Sequence, residues 1–218
     1  MNSNIDKFKS LIDELIKLEI KNENIFKIKF KLEDKIYTID SLTEENLYQL
    51  YEYFNSFNKI EKEYFGFPLF TPIRKNYVDF QKSYKKWLEE KDNWNVFMLY
   101  REDVNKIIAM SYIKKMNFIN SIDEEYKSPT WFNSVKAKYR ILKIKKNKNL
   151  RLSYLMGLVV LMQAEYKKLK SVYARGRSNN KAVENYILSL GYKKTGRKFV
   201  VKKENVTFED IEYEATLN

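Results

Sequence analysis

The 218-residue chain contains no cysteine and no histidine. The first absence excludes a disulfide framework and thiol catalysis. The second removes Ser-His chemistry, and together they remove zinc sites of the usual kind, so no metal is expected. Any general base must be a carboxylate, Tyr, Lys or water. Long hydrophobic runs are missing too: the longest, Leu152 to Ala164, falls short of the roughly 20 residues that span a bilayer. The N-terminal "MNSNIDKFKSLIDELIKLEI" scatters acids and bases through an amphipathic pattern, unlike a signal peptide. A cytoplasmic protein without a membrane partner is expected.

What is present suffices for a full core in one domain: 44% of residues are hydrophobic and 16% aromatic. The net charge of +12 is unevenly placed. Between Lys136 and Lys203 twenty Lys and Arg face two acids, Glu165 and Glu184, so this stretch carries +18 and the remainder −6. Such a stretch is either a solvated Lys-rich face or a site for a polyanion.

Along the chain, Ile5, Phe8, Leu11, Ile12, Leu15 and Ile16 recur at helical spacing, which predicts an amphipathic helix over residues 4–20. Its apolar face is either an interaction module or a cover for the chain's own sheet. "FKIKFKLEDKIYTID" predicts two strands around a turn. In "SLTEENLYQLYEYFNSF", Ser41 and Glu44 have capping-box spacing, and Leu47, Leu50, Tyr51 and Phe54 line one helical face. Residues 60–75 hold two of the three prolines and read as a loop, either pinned by its own aromatics or walling a substrate. "YVDFQKSYKKWLEEK" reads as a helix, and "NVFMLYR" with "KIIAMSYIKK" as a hairpin across "EDVN". Residues 117–135 read as an insertion or long loop. "AKYRILKI" (137–144) is the next predicted strand, followed by the basic loop "KKNKNLR" and the apolar helix "LSYLMGLVVLMQAEYKKLK". "SVYAR" is a short strand, "NNKAVENYILSLGY" a helix, and "RKFVVKK" and "VTFEDIEYEATL" two more strands. This mixture makes an α/β domain with a central sheet.

The order of elements resembles the GNAT superfamily of acyl-CoA-dependent N-acyltransferases, over nearly everything after residue 35. The most specific segment is 172–192. It has a strand Val172 to Arg175, Asn180, Val183 three residues on, a helix, and Gly191-Tyr192 in place of the family's Gly-aromatic pair. The same residues also make an ordinary helix: Asn180 as cap, Val183, Ile187 and Leu190 toward the core, and Gly191 as the left-handed stop. The resemblance implies a mixed central β-sheet flanked by helices, with residues 1–35 as an N-terminal helix and strand extension and 36–218 as the acyltransferase domain.

It further implies acetyl-CoA or another acyl-CoA as co-substrate and direct transfer of the acyl group to a primary amine. The implied cofactor-binding residues are Ile144, Lys145, Lys146, Lys148, Arg151, Ser153 and Asn180. Lys148, Arg151 and Ser153 stand at the family's basic, first Gly and second Gly positions. This chain departs from the pattern there, having no glycine before Gly157. Either Cβ atoms hold a phosphate off the backbone, or the Lys and Arg side chains replace backbone N–H contacts. The family's general-acid Tyr falls at Ile187, and Tyr186, one residue earlier, is the candidate catalytic acid. For a base, Tyr139, Glu63, Glu124 and Glu125 remain in play. The alternative is a catalytically silent protein of the same fold that uses its basic face for nucleic acid or an acidic partner. Self-association as a homodimer is open from sequence.

Overall fold

In the computed structural model, residues 3–57, 76–89, 94–114, 131–135, 142–144, 148–150, 152–203 and 206–217 are described. The chain opens with a short helix, α1 (Asn4–Lys9), closed at its start by a Ser3/Asp6 capping box. Strands β1 (Glu14–Lys21), β2 (Asn24–Leu32) and β3 (Lys35–Ser41) follow, then α2 (Leu47–Asn55), α3 (Tyr77–Glu89), β4 (Trp94–Arg101), β5 (Lys106–Lys114) and β6 (Trp131–Val135). After a small hairpin, β7 (Leu142–Ile144) and β8 (Lys148–Leu150), come α4 (Leu152–Tyr166), β9 (Ser171–Arg177), α5 (Lys181–Ser189), β10 (Lys193–Lys203) and β11 (Val206–Thr216).

Three sheets result: an antiparallel six-stranded one in the order β1-β2-β3-β4-β5-β6, a three-stranded one in the order β10-β11-β9, and the β7-β8 pair. The six-stranded sheet is covered on both faces because its strands alternate two apolar sets. Tyr37, Ile39, Phe97 and Leu99 point to a core shared with α1, α4 and α5. Val96, Met98, Met110 and Tyr112 point to a second core beneath α2 and α3, where Phe54, Phe80 and Tyr84 pack ring on ring. Helix α4 is apolar around its whole circumference, as a helix buried on all sides must be. It carries an unbroken buried run from Leu155 to Ala164 and packs against β2, β5, β6 and β9. Among the described residues, no helix is long and apolar enough to cross a membrane.

Several expectations change. The helix predicted over 4–20 ends at Lys9, and residues 14–21 instead form β1, paired with β2 through two bulges. Strand β2 is half-buried along its length and needs a partner for its outer N–H and C=O groups, so pairing overrides the local helical spacing. Most of the apolar residues still face inward: Ile5, Leu11, Ile12, Leu15 and Leu18 pack on the core and Phe8 is fully buried in it, while Ile16 is exposed. The apolar face of the N-terminal segment thus covers its own chain. Ser41 does not cap α2; its hydroxyl donates to the Ile25 carbonyl at 2.5 Å, and the N-cap residue is Asn46. Asn46 spends its side chain on the turn, accepting from Thr43 N–H and donating to the Ser41 carbonyl. On α2, Tyr53 joins Leu47, Leu50 and Phe54 in the core, with Tyr51 only half-buried.

The region read as a loop over 117–135 ends in β6, which pairs with β5 from Ala109↔Val135 to Ile113↔Trp131. "WFNSV" is a five-residue strand whose β-formers Trp131, Phe132 and Val135 are concealed by averaging over nineteen residues. The strand beside β5 is therefore 131–135. Leu142–Ile144 lies outside that sheet, paired with part of the segment expected to be the basic loop.

Candidate functional site

The six-stranded sheet ends at β6 and the three-stranded one at β9; the two strands lie against each other as members of separate sheets, with α4 packed on both. The start of α4 is held by α5, which the local sequence specifies well. Asn180 is its N-cap, its side-chain oxygen accepting the Val183 N–H at 3.2 Å. Ile187 and Leu190 are buried, and Gly191 takes φ +94°, where a side chain would be strained. Gly176 on β9 lets Val183 and Ile187 come close: a Cβ there would stand 3.0 Å from Val183 Cγ1.

Two tyrosines tie α5 to α4. Tyr186 Oη donates to the Ser153 carbonyl at 2.6 Å, and Tyr154 Oη donates to the Ser189 carbonyl at 3.2 Å. Burial raises the Tyr154 phenol above its ordinary pKa. The sequence reading named Tyr186 and missed Tyr154 and Gly157. A Cβ on Gly157 would lie 2.6 Å from both Tyr186 Oη and Leu190 Cδ1, so this glycine opens the notch the phenol occupies. The signal was available, because a glycine inside a strongly apolar helix often marks a close approach.

Of the predicted cofactor-binding residues, Ser153 is the second residue of α4 and half-exposed, and Asn180 lies at the start of α5. Ile144 and Lys148 are backbone partners in the β7-β8 pair, with Lys148 four residues before α4 begins. Lys145, Lys146 and Arg151 lie outside the described residues, as do Tyr139, Glu63, Glu124, Glu125 and the loop over 60–75. The first turn of α4 contains no acidic residue. Its leading N–H groups lack intrahelical partners and carry the positive end of the helix dipole.

Four cations of the basic half find counter-charges in β11 and α5. Lys198 pairs with Glu209 at 3.1 Å and Arg197 with the buried Glu212 at 2.6 Å, while Lys194 and Lys181 both bind Glu184, at 2.7 and 2.8 Å. Those two hydrogen bonds hold the Glu184 carboxyl below its ordinary pKa. Asp210, across from Arg177 in the ladder, is shifted upward by burial, against the pull of Arg177 and Arg175. Among the described residues, no group of His, Cys, Asp and Glu is arranged to hold a metal ion.

A second hollow, of about 430 Å³, lies on the face of the large sheet away from α4, lined by Lys27, Thr38, Asp40, Asn46, Tyr100 and Glu102 among others. Burial raises the Asp40 carboxyl, partly offset by Lys27 at 3.3 Å. None of the predicted site residues that are described borders it.

No protein-family model matches the sequence, and no curated protein sequence matches it. Solved structures do match its fold. The ribosomal-protein-S5-alanine acetyltransferase of Vibrio fischeri superposes with a TM-score of 0.60 at 12% identity, covering 86% of this chain and 96% of that one. A GNAT-family acetyltransferase of Streptococcus pneumoniae gives 0.56 at 12%, covering 83% and 99%. The spermidine N-acetyltransferase of Vibrio cholerae, solved with CoA and spermine, gives 0.57 at 11%, covering 83% and 95%. The chain has the GNAT fold, a mixed α/β architecture.

Proposed function

We propose that this protein is an N-acyltransferase that moves an acyl group, most simply acetyl, from coenzyme A to a primary amine. The observation that carries the reading is the start of α4. A long buried helix packs on both strands at the junction of two sheets, with the positive end of its dipole and no acid in its first turn, and a basic segment just before it in sequence. This is the chemistry that receives a pyrophosphate. This reading does not need the family's glycines. The start of α4 offers the positive end of the helix dipole, and Lys148 with Lys145, Lys146 and Arg151 is assigned to the phosphate oxygens as cations. Asn180 is a weaker member of the set, since its side-chain oxygen already serves Val183.

A bound thioester supplies an activated acyl carbon. The acceptor nitrogen bonds to that carbon as the carbon–sulfur bond breaks, the ammonium proton leaves to a carboxylate or water, and the thiolate takes up a proton. The chain has no cysteine for an acyl-enzyme, so the transfer is direct, with both substrates held together. Amine acceptors also agree with the structural neighbours, whose names specify a ribosomal-protein alanine and spermidine. A cytoplasmic location belongs to the same reading.

The competing reading is a silent fold with a basic face for nucleic acid or an acidic partner. The ion pairs of Lys194, Arg197 and Lys198 count against it, because they occupy three of the six cations on β10. A thermal melt with acetyl-CoA, desulfo-CoA and a chloride control of matched ionic strength separates the two. A ligand at 100 times its dissociation constant adds about 2.7 kcal/mol, which raises the midpoint of a domain of this size by about 5 to 10 °C. Replacing Lys148 and Arg151 with Ala should abolish most of that rise. No shift for the unaltered chain at millimolar ligand overturns the enzyme reading.

A further inference from the structure

We propose that β1 is a self-association edge: it pairs antiparallel with β1 of a second copy of this chain, about a two-fold axis at Leu18. The inference stands independently of the acyl-transfer reading. Among the described residues β1 has one strand neighbour, β2, so its other edge ends the six-stranded sheet. An edge strand presents a row of backbone N–H and C=O groups without ladder partners. Leu18 and Ile20 stand opposite the buried Ile28 and Ile25 on the core side of the sheet, while Lys17 and Glu19 stand opposite Lys29 and Lys27 on the other side. Ile20 is nevertheless 40% exposed and Ile16 42%, since among the described residues no strand lies beyond them.

The order of residues selects the occupant. In "IKLEI", residues 16–20, reversing the chain about Leu18 sets Ile16 against Ile20, Leu18 against itself and Lys17 against Glu19. An antiparallel copy in that register brings apolar side chains onto apolar ones and opposite charges onto each other, twice over by symmetry. Lys17 and Glu19 already pair within the chain, so the contact closes a ring of alternating charges. Lysines and bulges on an edge strand ordinarily deter a second strand. Here Lys17 and Lys21 are balanced by Glu14 and Glu19 within β1. The two irregularities of the β1-β2 pairing flank residues 17–19, which run in unbroken register against Lys29, Ile28 and Lys27. Each copy uses the same strand, so two six-stranded sheets become one continuous sheet and no third copy adds at this edge.

The test is sedimentation equilibrium of the full chain, unaltered and carrying Lys17→Glu or Glu19→Lys, with far-UV circular dichroism to check that each variant folds. The unaltered chain should show a concentration-dependent mass that rises from one chain to two and no further. Each variant alone sets like charges opposite each other at both symmetry-related contacts, and should self-associate about tenfold more weakly. An equimolar mixture of the two variants restores opposite charges across the axis and should recover the dimer. Loss of the ion pair within one chain cannot produce that recovery. Should a variant fail to fold, amide hydrogen exchange on the unaltered chain carries the test. Protection of residues 14–21 should then grow with protein concentration, while that of residues 131–135, at the opposite edge of the sheet, stays constant. A chain that remains a single copy at millimolar concentration, a dimer indifferent to both charge reversals, or a mixture no more associated than its components overturns the proposal. So does protection of residues 14–21 that is independent of concentration.

Discussion

The side-chain amide of Gln163, on α4, accepts the Ile25 N–H at 2.7 Å, joining residues 138 positions apart in a fully buried setting. The same amide donates to the Glu23 carbonyl at 3.0 Å and toward Asn24 Oδ1 at 3.3 Å, and Asn24 in turn accepts from Asn95 at 2.9 Å. A polar side chain in the apolar buried run of α4 thus satisfies the backbone where β1 turns into β2. Gln163→Leu keeps the volume and orphans the Ile25 N–H, which should cost about 1–3 kcal/mol. The check is the urea midpoint, which should fall with the slope unchanged.

A second consequence concerns residues 1–35, expected from sequence to be an extension before the main domain. Phe8 and Phe30 meet edge to face with ring centroids 5.4 Å apart, and both belong to the core that contains α4. Asn4 also donates to Glu165 at 2.6 Å. Phe8→Ala should therefore destabilise the whole molecule, by about 3–5 kcal/mol, as expected for a buried aromatic. Denaturation followed by far-UV circular dichroism and by tryptophan fluorescence should show one shared transition at lower denaturant. A separate early transition, with the rest of the chain melting as before, would mean that the segment is an appendage.

Gly157 and Gly191 lie on either side of the same helix contact and should respond to alanine for different reasons. At Gly191 a Cβ meets nothing within 4 Å, and the cost comes from φ +94° alone. Gly191→Ala should lose about 1–2 kcal/mol, and Gly191→Asn less, because Asn tolerates left-handed backbone. At Gly157 the backbone is helical and the cost is steric, about 1–3 kcal/mol. Shortening Leu190 to Ala, although destabilising by itself, should make the Gly157→Ala penalty smaller and leave the Gly191→Ala penalty unchanged. Thermal melts of the paired variants provide the comparison.

The α5 segment was the most legible part of the sequence because its signals are local. Asn180 as cap, Ile187 and Leu190 inward and Gly191 as the stop are where spacing predicted them. What sequence did not reveal depends on long-range pairing. Residues 14–21 have helical spacing and become a strand because β2 needs a partner, and 131–135 become a strand because β5 does. The charge imbalance was visible as composition. Its partial cancellation was not, since Lys198 against Glu209 and Arg197 against Glu212 require the antiparallel β10-β11 pairing. The contact of Tyr186 with the backbone of α4 joins positions 33 residues apart, and only the glycine in that helix hinted at it.

Two carboxylates in this C-terminal region should give stability opposite dependences on pH. Glu184 is held below its ordinary pKa of 4.5 by its hydrogen bonds to Lys181 and Lys194. Its contribution is therefore fully present above the unfolded value and is lost as the pH falls through the lower, folded one. Asp210 is raised above its ordinary 3.8, chiefly by burial. Its ionised form costs stability at neutral pH, and that cost disappears as the pH falls through the raised value. Glu184→Gln should thus be less stable than the unaltered protein at pH 7, with the difference closing as the pH falls below 4.5 and through the lowered folded value. Asp210→Asn should be as stable or more so at pH 7, and any advantage should vanish in acid. Urea midpoints at half-unit steps from pH 3 to 7 test both. If Asp210→Asn is the variant that weakens the protein at neutral pH, the attraction of Arg175 and Arg177 outweighs burial at that site.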